Sequence, residues 1–422
     1  MSSNNNQAVF FLKAKGPQDM LINPDPNHLL FRSMFKQYPN VGRFLPQLEK
    51  RSGADKLKET TDTTITYDLH SGGDITTKLY HSVKVEALTA QGTADFMHLC
   101  NCFGHAQFTQ MQVLIGGTEI EKMDKETMKV LSDLYLGSGE AIREMLGHYE
   151  KESHLIQAAQ GTQVIVTPLL AFCARSDDQA IPNCALGDQQ ILLKLTYDSA
   201  RDVSVNRGND ATSAHASHCA TQIQSPTVFA VQYYIEENER QTYTDNVLSY
   251  NLICVNRTHD ATLTSTSVQS ASSQFIQPTT CFLFYARQAA ATDGTSYTNY
   301  GVGLKDYFDF GTASGSEPIH FFDVQTSAGG WQLNHVPPVY FRTAESHYQF
   351  DKKCSPFVYA WGAGPKDALC PQVRSTWNMS RSGDQTIKMQ VAESSSTQFF
   401  VDQVQVKQVN IGNSALVQPF IS

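Results

Sequence analysis

Charged residues make up only 17% of this 422-residue chain, and the chain has no long apolar run. Every apolar run is far shorter than the roughly 18 residues that a membrane-spanning helix needs, so no such helix is expected. Basic residues are too few for a nucleic-acid-condensing protein, because 32 Lys and Arg stand against 41 Asp and Glu, a net charge of −9. The opening MSSNNNQAVFF lacks the basic and apolar segments of a secretory signal, which predicts a soluble protein made in the cytosol.

The chain also lacks the motifs of common catalytic sites. It has no glycine-rich phosphate loop that opens a helix and no Gly-x-Ser-x-Gly nucleophile turn. Its adjacent acidic pairs, Asp177-Asp178 and Glu236-Glu237, cannot share a proton in extended chain, because neighbouring side chains on a strand point to opposite faces. We therefore predict that the protein is not an enzyme and that it binds no cofactor.

Nine cysteines are scattered along the chain, mostly inside apolar runs. An odd number without a secretory signal predicts reduced, buried thiols rather than disulfides. The best candidate for a metal site is the group His98, Cys100, Cys102 and His105, in which strand alternation would place both cysteines on one face. Structural zinc sites usually show two separated ligand pairs. No metal is predicted at this group.

The residues that are abundant indicate strands. Hydrophobic residues make up 41% of the chain, and much of the rest is Ser, Thr, Gln and Asn. This balance suits strands with one solvated face and long loops, so the fold is predicted to be all-β. A length of 422 residues predicts two large domains.

Residues 109–197 organise the first predicted domain. A strand ends in a turn at Gly116 and Gly117, and two short helices follow, for which Asp124 and Ser138 are the expected N-caps. Three-and-four spacing predicts that the first helix buries Met128, Leu131, Leu134 and Tyr135 and that the second buries Ile142, Met145, Leu146 and Tyr149. The next strands show β-branched and apolar runs. We expect this stretch to complete one β-sandwich with the residues before it.

Two shorter patterns belong to the same domain. Residues 64–67 and 78–85 alternate apolar and polar side chains around a glycine-containing turn at 71–74, which predicts a β-hairpin. Residues 164–166 form a β-branched run that Pro168 is expected to end.

The segment FLKAKGPQDMLINPDPNHLLFRSMFKQYPNVG resembles the amino-terminal signature of the double jelly-roll major capsid proteins of nucleocytoplasmic large DNA viruses. Two positions depart from the signature, since Leu30 stands where the family has Phe and Arg32 where it has Lys. The matching residues are Leu12, Ala14, Gly16, Gln18, Asp19, Pro26, Phe31, Phe35 and Asn40.

Further blocks resemble the same family, in the same order along the chain. The segment QYYIEENERQTY is similar to the strand and acidic turn that open the family's second jelly roll, and Pro278 lies in a similar strand, with Gln277 in place of His. The remaining matches are Gly73, Asp74, Gly116, Gly117, Pro168, Pro182, Pro365, Asn378, Ser380 and Arg381.

This resemblance implies two tandem eight-stranded antiparallel jelly rolls with short helices inserted in loops. The implied division places an amino-terminal arm at residues 1–25, the first jelly roll at 26–205, a linker at 206–225 and the second jelly roll at 226–422. The linker is polar, small and aperiodic, which suits a boundary.

The resemblance also implies a structural role in a virion. Three chains would form a homotrimeric, pseudo-hexameric capsomer that tiles an icosahedral shell beside neighbouring capsomers, minor capsid proteins and penton proteins. Assembly would take place in the host cytoplasm, without direct contact to nucleic acid. The first sixty residues carry a local net charge of +4, which suits either a solvated arm or contact with an acidic partner such as the inner membrane.

Two alternatives stay open from the residues. A carbohydrate-binding jelly-roll protein could stack sugars on its three Trp and 17 Tyr residues, although aromatics at this density usually belong to a core. A minor capsid protein is the second alternative, but such a protein usually needs only one jelly roll and this chain has material for two. Glycosylation acceptor patterns begin at Asn256 and Asn378, and chance explains them better than modification, because no secretory signal is seen.

Overall fold

In the part of the chain that the structure describes, twelve strands build the first of two antiparallel barrels. Its sheets have the orders β1-β12-β4-β8, with β9 also on β4, and β2-β3-β10-β6-β7, while β11 pairs with β5. The strands are β1 (Gly42–Phe44), β2 (Lys50–Ser52), β3 (Thr63–Asp68), β4 (Ile75–Val85), β5 (Phe96–Leu99), β6 (Phe108–Ile115), β7 (Thr118–Asp124), β8 (Gln163–Leu169), β9 (Ile181–Pro182), β10 (Ile191–Tyr197), β11 (Ser204–Arg207) and β12 (Thr227–Tyr234).

Among the described residues, ten strands follow in the second barrel. Its sheets have the orders β13-β21-β15-β18, with β19 on β15 and β22 on β21, and β14-β20-β16-β17. The strands are β13 (Leu248–Leu263), β14 (Gln269–Ser273), β15 (Pro278–Gln288), β16 (Phe321–Ala328), β17 (Trp331–Val336), β18 (Tyr359–Gly362), β19 (Trp377–Asn378), β20 (Gln385–Val391), β21 (Thr397–Gly412) and β22 (Ala415–Val417).

Short helices occupy the connections. Four of the eight helices that the structure describes fall between β5 and β8 of the first barrel. They are α1 (Phe103–Ala106), α2 (Lys125–Tyr135), α3 (Glu140–Leu146), α4 (Glu152–Ala159), α5 (Phe172–Arg175), α6 (Ala214–Gln222), α7 (Glu237–Asp245) and α8 (Pro338–Tyr340), with single turns at Asp177–Gln179, Asn183–Ala185 and Phe341–Glu345. Among the helices that the structure describes, none has the length and apolar content to cross a bilayer.

The structure is a computed structural model, in which Val41–Ser422 form one compact unit. Predictions for residues 1–40, Ser138, Pro365, Ser380 and Arg381 lie outside the described residues. The described residues are 41–70, 72–92, 94, 96–136, 139–149, 151–187, 189–207, 214–246, 248–263, 269–273, 278–288, 306–308, 310, 321–328, 331–345, 347, 359–362, 376–378, 385–391, 397–412 and 415–417.

Strand alternation sets the core of the first barrel. Along β10, Ile191, Leu193, Leu195 and Tyr197 are buried and the residues between them are half-buried, as the period of two in a strand requires. Each fully buried Leu or Ile side chain stabilises the fold by about 1.5 to 3 kcal/mol relative to an exposed one. The two sheets face each other, since His81 of β4 contacts the rings of residues on β6 and β10.

The predicted turn at Gly116 and Gly117 is confirmed. Both glycines have positive φ, 58° and 81°, and Ile115 pairs with Thr118 across the two-residue loop. A turn with two positive φ values matches the twist of a hairpin and favours glycine at both positions. The strand after this turn, β7, was not among the predicted elements.

The inserted helices follow their predicted pattern in part. On α2 the residues Met128, Leu131 and Leu134 are buried, as expected. Asp124 is the N-cap of α2, but its side chain makes no capping hydrogen bond. On α3 only Leu146 is buried, and α4 is an additional helix.

The hairpin predicted for residues 64–67 and 78–85 is wrong. β3 pairs with β10 and β2, whereas β4 pairs with β12 and β8, so the two strands lie in opposite sheets. The turn between them therefore crosses from one sheet to the other. Alternation shows that each segment is a half-buried strand, but it carries no information about which strand is the partner.

The predicted start of the second jelly roll at residue 226 is also wrong. β12 pairs with both β1 and β4 and belongs to the first barrel. The predicted linker contains α6 and the end of β11, and the predicted acidic turn is the helix α7. The second barrel therefore begins with β13, after α7. β12 is part of the first barrel because it lies between β1 and β4.

The prediction that Pro168 ends its strand is wrong. β8 continues through it to Leu169, and Pro168 pairs with Tyr80 of β4. β8 is the last strand of its sheet, where a missing N–H breaks no ladder bond on the outer side.

Candidate functional site

The two barrels meet along a buried junction that is polar. From the first barrel it is built by β7, α2 and α5, and from the second by β13, β15 and β21. The ammonium group of Lys407 on β21 donates to the backbone oxygen of Ile120 on β7, at 2.6 Å. Because buried polar groups need partners, each contact here fixes one barrel against the other.

Glu121 of β7 is the first centre of this junction. One carboxylate oxygen accepts from the backbone N–H of Val255 on β13 at 2.8 Å, and the other accepts from the N–H of Phe172 at 2.7 Å. The same carboxylate forms an ion pair with Arg175 of α5, and both side chains are only 1% exposed. A buried carboxylate is tolerated when it is paired and fully hydrogen-bonded, and Glu121 meets both conditions.

Arg257 of β13 is the second centre. Its Nε lies 3.1 Å from the carboxylate of Asp402 on β21, and its Nη1 lies 3.1 Å from Glu126 on α2. Its Nη2 donates to the hydroxyl groups of Thr127, at 3.0 Å, and Tyr285, at 2.8 Å. The planar guanidinium thus bonds both barrels at once, a geometry that lysine cannot reproduce.

Asp402 closes this arrangement from the other side. It is fully buried, and its second oxygen accepts from the hydroxyl groups of Thr127, at 3.0 Å, and Tyr285, at 2.7 Å. The Arg257 guanidinium also lies 4.6 Å from the ring centre of Phe400. The charge of Asp402 is therefore balanced by an arginine of its own barrel and held by a threonine of the other.

A second arginine supports Glu126. The Nη1 atom of Arg287 lies 2.9 Å from the Glu126 carboxylate and donates to the backbone oxygen of Tyr307 at 2.6 Å. Burial raises the pKa of Glu126, but Arg287 and Arg257 outweigh burial, so the pKa lies below its usual value. By contrast, burial dominates at Asp124 and raises its pKa, although Arg257 acts against it.

A lysine extends the junction. Lys125 of α2 pairs with Asp198 at 2.8 Å, and its ammonium group lies 3.7 Å from the ring centre of Tyr307. The hydroxyl group of Tyr307 donates to the backbone oxygen of Asp202 at 2.9 Å. Tyr307 precedes the closing strands of the second barrel, so this contact also ties that barrel to the first.

The candidate metal residues do not converge. His98 lies on β5, with Nδ1 2.7 Å from the backbone oxygen of Leu99, and Cys102 precedes α1 with a φ of 52°. Cys100 and Cys102 lie beyond the end of β5, so strand alternation does not apply to them. The described part of the chain contains no group of three or more His, Cys, Asp or Glu placed to hold a metal ion.

The predicted state of the cysteines is confirmed where the structure describes them. None of the cysteines in the described part of the chain forms a disulfide, and all but the half-buried Cys184 are buried: Cys100, Cys102, Cys173, Cys184, Cys219, Cys254 and Cys281. Cys354 and Cys370 lie outside the described residues.

Two buried histidines predict a pH dependence of stability. Burial lowers the pKa of His81 to about 3, and burial with a contribution from Lys129 lowers that of His105 to about 3. In the unfolded chain a histidine titrates near 6.5. Between these values the unfolded chain binds more protons, so stability falls as pH falls. We expect the two histidines to cost roughly 3 kcal/mol between pH 6.5 and 5, measured by urea unfolding.

A histidine variant separates this effect from general acid sensitivity. His81→Phe keeps an aromatic ring beside Phe108 and Tyr197 and should remove about half of the pH-dependent loss. Replacement of the exposed His154 by Gln is the matched control and should leave the loss unchanged. Equal pH dependence in the wild type and His81→Phe would contradict the assignment.

The comparisons with known proteins give the chain its family. A family model described as the major capsid protein N-terminus matches residues 30–237, about half of the chain. This chain belongs to the major capsid proteins. No curated protein sequence matches it significantly.

Solved structures agree on the fold of this capsid protein. The structure of VP54 of PBCV-1, fitted into a reconstruction of the virophage Sputnik, aligns with a TM-score of 0.75 at 15% identity and covers 93% of this chain and 100% of its own. The Faustovirus major capsid protein aligns with a TM-score of 0.68 at 9% identity and covers 94% of each chain. The predicted double jelly-roll fold is confirmed.

The role of the capsid protein is structural, and as a virion component it assembles with neighbouring copies. Its junction suits that role. Each carboxylate of Glu121, Glu126 and Asp402 is held by an arginine. Charges that are paired and buried in this way hold the two barrels together.

Several residues of the predicted family motif have structural contacts in the capsid protein. A Cβ atom on Gly73 would lie 2.7 Å from the Cβ of Gln232, so no larger residue fits there. Asp74 accepts from the backbone N–H of Ile235 at 3.1 Å and lies 3.3 Å from Arg240. These contacts fasten the end of β12 and the start of α7.

Other motif residues lie at strand pairings. Pro182 pairs with Ile75 of β4, and Pro278 pairs with Asn378. Asn256 lies on β13, paired with β21, and its amide oxygen is buried. The glycosylation patterns at Asn256 and Asn378 thus both fall on strands, and the interpretation that chance explains them better than modification stays a prediction.

Glu121 and Arg257, the centres of the junction, were not among the predicted site residues. No local signal marks either one, because Glu121 lies between Ile120 and Lys122 on β7, and Arg257 lies between the polar residues Asn256 and Thr258 on β13. The sequence does not show their partners, since 134 positions separate Glu121 from Val255.

Proposed function

We propose that three copies of this capsid protein form a homotrimeric, pseudo-hexameric capsomer and that these capsomers tile an icosahedral shell. Each chain would supply two barrels, so three chains supply six. Six similar units around one axis give a hexagonal outline, which fills a surface without gaps. Most soluble oligomers adopt closed symmetry, and a trimer is one such arrangement.

The observation that carries the proposal is the buried junction around Glu121 and Arg257. A capsomer with a fixed outline needs two barrels that keep one relative orientation. The junction supplies this through charged side chains that each bond both barrels, with Arg257 joining Asp402 to Glu126. Domain interfaces without such anchors usually allow relative motion.

The native mass tests the trimer. Light scattering of the purified full chain should give three times the monomer mass of 46.8 kDa, or about 140 kDa, and negative-stain images of the same peak should show a hexagonal outline. A monodisperse monomer across a wide concentration range would contradict the proposal. A saturable response to glycans from such a monomer would instead favour the carbohydrate-binding alternative.

The finer partners belong to the same proposal. Minor capsid and penton proteins would border the capsomer, the amino-terminal arm would contact an inward partner such as the inner membrane, and assembly would occur in the host cytoplasm. The proposed boundary between the two jelly rolls lies between β12 and β13, because β12 pairs with β4 of the first barrel.

A further inference from the structure

A segment of the second barrel reaches into the first barrel. We call it the strap, formed by residues 306–308, which lie between β15 and β16. The carboxylate of Asp306 accepts from the side-chain amide of Asn101 at 2.8 Å. The ring of Tyr307 lies against an ammonium group of α2, and its hydroxyl group donates to the backbone oxygen of Asp202. The strap therefore adds a third set of contacts between the barrels, beside the two centres of the junction.

The last strap residue, Phe308, covers a buried histidine. His105 of α1 is 1% exposed, and its ring meets the ring of Phe308 edge to face, with 6.4 Å between the ring centres. Phe308 itself is half-buried, so it forms part of the layer between His105 and solvent. In the part of the chain that the structure describes, neither ring nitrogen of His105 has a hydrogen-bond partner. A proton added to this ring would create a buried charge without a partner, which is strongly unfavourable.

The groups around His105 carry charges of both signs. Lys129 of α2 opposes a positive charge on His105, and its own ammonium group is paired with Asp133 at 2.5 Å. β8, which also contacts α1, has no titratable side chain. The pKa of His148, after α3, is lowered mainly by burial, which outweighs the opposite effect of Asp306. Among the described residues, the charged and titratable groups of this cluster besides His105 are Cys102, Lys129, Asp133, Arg143, His148 and Asp306.

Mild acid leaves the inner part of the junction closed. Burial acts against the charge of Glu126, but Arg287 and Arg257 keep its pKa below the usual value. Arginine stays protonated throughout the range in which histidine titrates. A fall in pH through that range therefore acts on the buried histidine under the strap and spares the contacts around Glu126.

We infer that the strap is an acid-sensitive latch between the two barrels, which opens when His105 is protonated while the centres of the junction stay closed. The proton can be held only when Phe308 has moved off the histidine and water reaches the ring. Asp306 and Tyr307 precede Phe308 directly in the chain, so their contacts with the first barrel are lost in the same movement. Acid thus loosens one side of the junction before the protein unfolds.

Proton linkage sets the size of the effect. Burial, with a contribution from Lys129, keeps the pKa of His105 at about 3 in the closed state, whereas an exposed histidine titrates near 6.5. Between these values the open state binds more protons, so opening becomes more favourable as pH falls. From pH 7.5 to pH 5 the ratio of open to closed molecules should rise about 30-fold.

Hydrogen exchange of the full chain tests the latch. The probes are the amides of Phe308, which donates to the Asp306 carboxylate at 2.8 Å, and Phe310, which donates to the backbone oxygen of Phe308 at 3.0 Å. Protection is measured at pH 7.5 and pH 5, corrected for the intrinsic exchange rate, with and without urea below the unfolding transition. The reference is the set of β10 amides, which are expected to exchange through global unfolding.

Protection of both probe amides should fall about 30-fold between the two pH values and should not respond to urea, because a local opening exposes little surface. Protection of β10 should fall when urea is added. Equal protection of the probe amides at the two pH values would overturn the inference. Probe amides that respond to urea as strongly as β10 would overturn it as well, since the strap would then open only when the whole protein unfolds.

A histidine variant assigns the effect. His105→Leu removes the titratable ring and keeps an apolar side chain against Phe308, so the pH-dependent change should become at least about fivefold smaller. His154→Gln, at an exposed position on α4, is the matched control and should keep the full change. An undiminished change in a folded His105→Leu protein would overturn the role of His105. If that variant does not fold, the urea comparison on the unsubstituted chain decides.

Discussion

Replacing Arg257 with leucine is expected to lower the free energy of unfolding by about 3 to 5 kcal/mol. The change leaves Asp402, which is fully buried, without its ion-pair partner, and removes one of two arginines from Glu126. An unpaired buried carboxylate costs far more than the pair itself contributes, because the interior cannot replace its lost hydration. Denaturant unfolding followed by fluorescence measures the loss.

A surface pair provides the control for Arg257. Lys84 lies 2.6 Å from Glu86, and both side chains are about one third or more exposed, so Lys84→Ala should cost at most about 1 kcal/mol. The double variant Arg257→Leu with Asp402→Leu should lose less than the sum of the two single variants, because it removes the fully buried carboxylate together with its ion-pair partner. Additive losses would show that the two side chains do not act as a pair.

Replacing Glu121 with alanine is expected to cost a similar amount, about 3 to 5 kcal/mol. Arg175 then stays buried without its counter-ion, and the backbone N–H groups of Val255 and Phe172 lose their acceptor. Because Val255 belongs to the second barrel and Phe172 to the first, the change weakens both sides of the junction. Unfolding measurements give the size of the loss.

The control for Glu121 lies two residues away on the same strand. Glu119 is exposed and accepts only from the side chain of Gln112, at 2.9 Å, so Glu119→Ala should change stability by no more than about 0.5 kcal/mol. Hydrogen exchange adds a local readout, since the amide of Val255 should lose protection in Glu121→Ala and keep it in Glu119→Ala. An unchanged Val255 amide would contradict the proposed contact.

Local rules predict local structure well in this chain. An apolar run identifies β10, and two adjacent glycines identify the turn between β6 and β7. Both depend only on residues that are neighbours in sequence. The three-and-four spacing of Met128, Leu131 and Leu134 likewise predicts the buried face of α2.

Predictions that required knowledge of a distant partner were wrong. The sequence of β3 and β4 predicts a hairpin, but the two strands pair in different sheets. Pro168 predicts a strand end, because the sequence does not show that β8 lies at the edge of its sheet. The junction escaped prediction for the same reason. Arg257 and Glu126 are 131 positions apart, and nothing local to either residue indicates the other.

The position of β12 also constrains how the chain folds as it is synthesised. β12 lies between β1 and β4, so the sheet of the first barrel stays incomplete until Tyr234 has left the ribosome, long after β10 and β11. Domains generally fold as units in the order of synthesis. A nascent chain released at residue 205 would therefore expose the edge of β4, and the shortest fragment able to close the first barrel extends through β12.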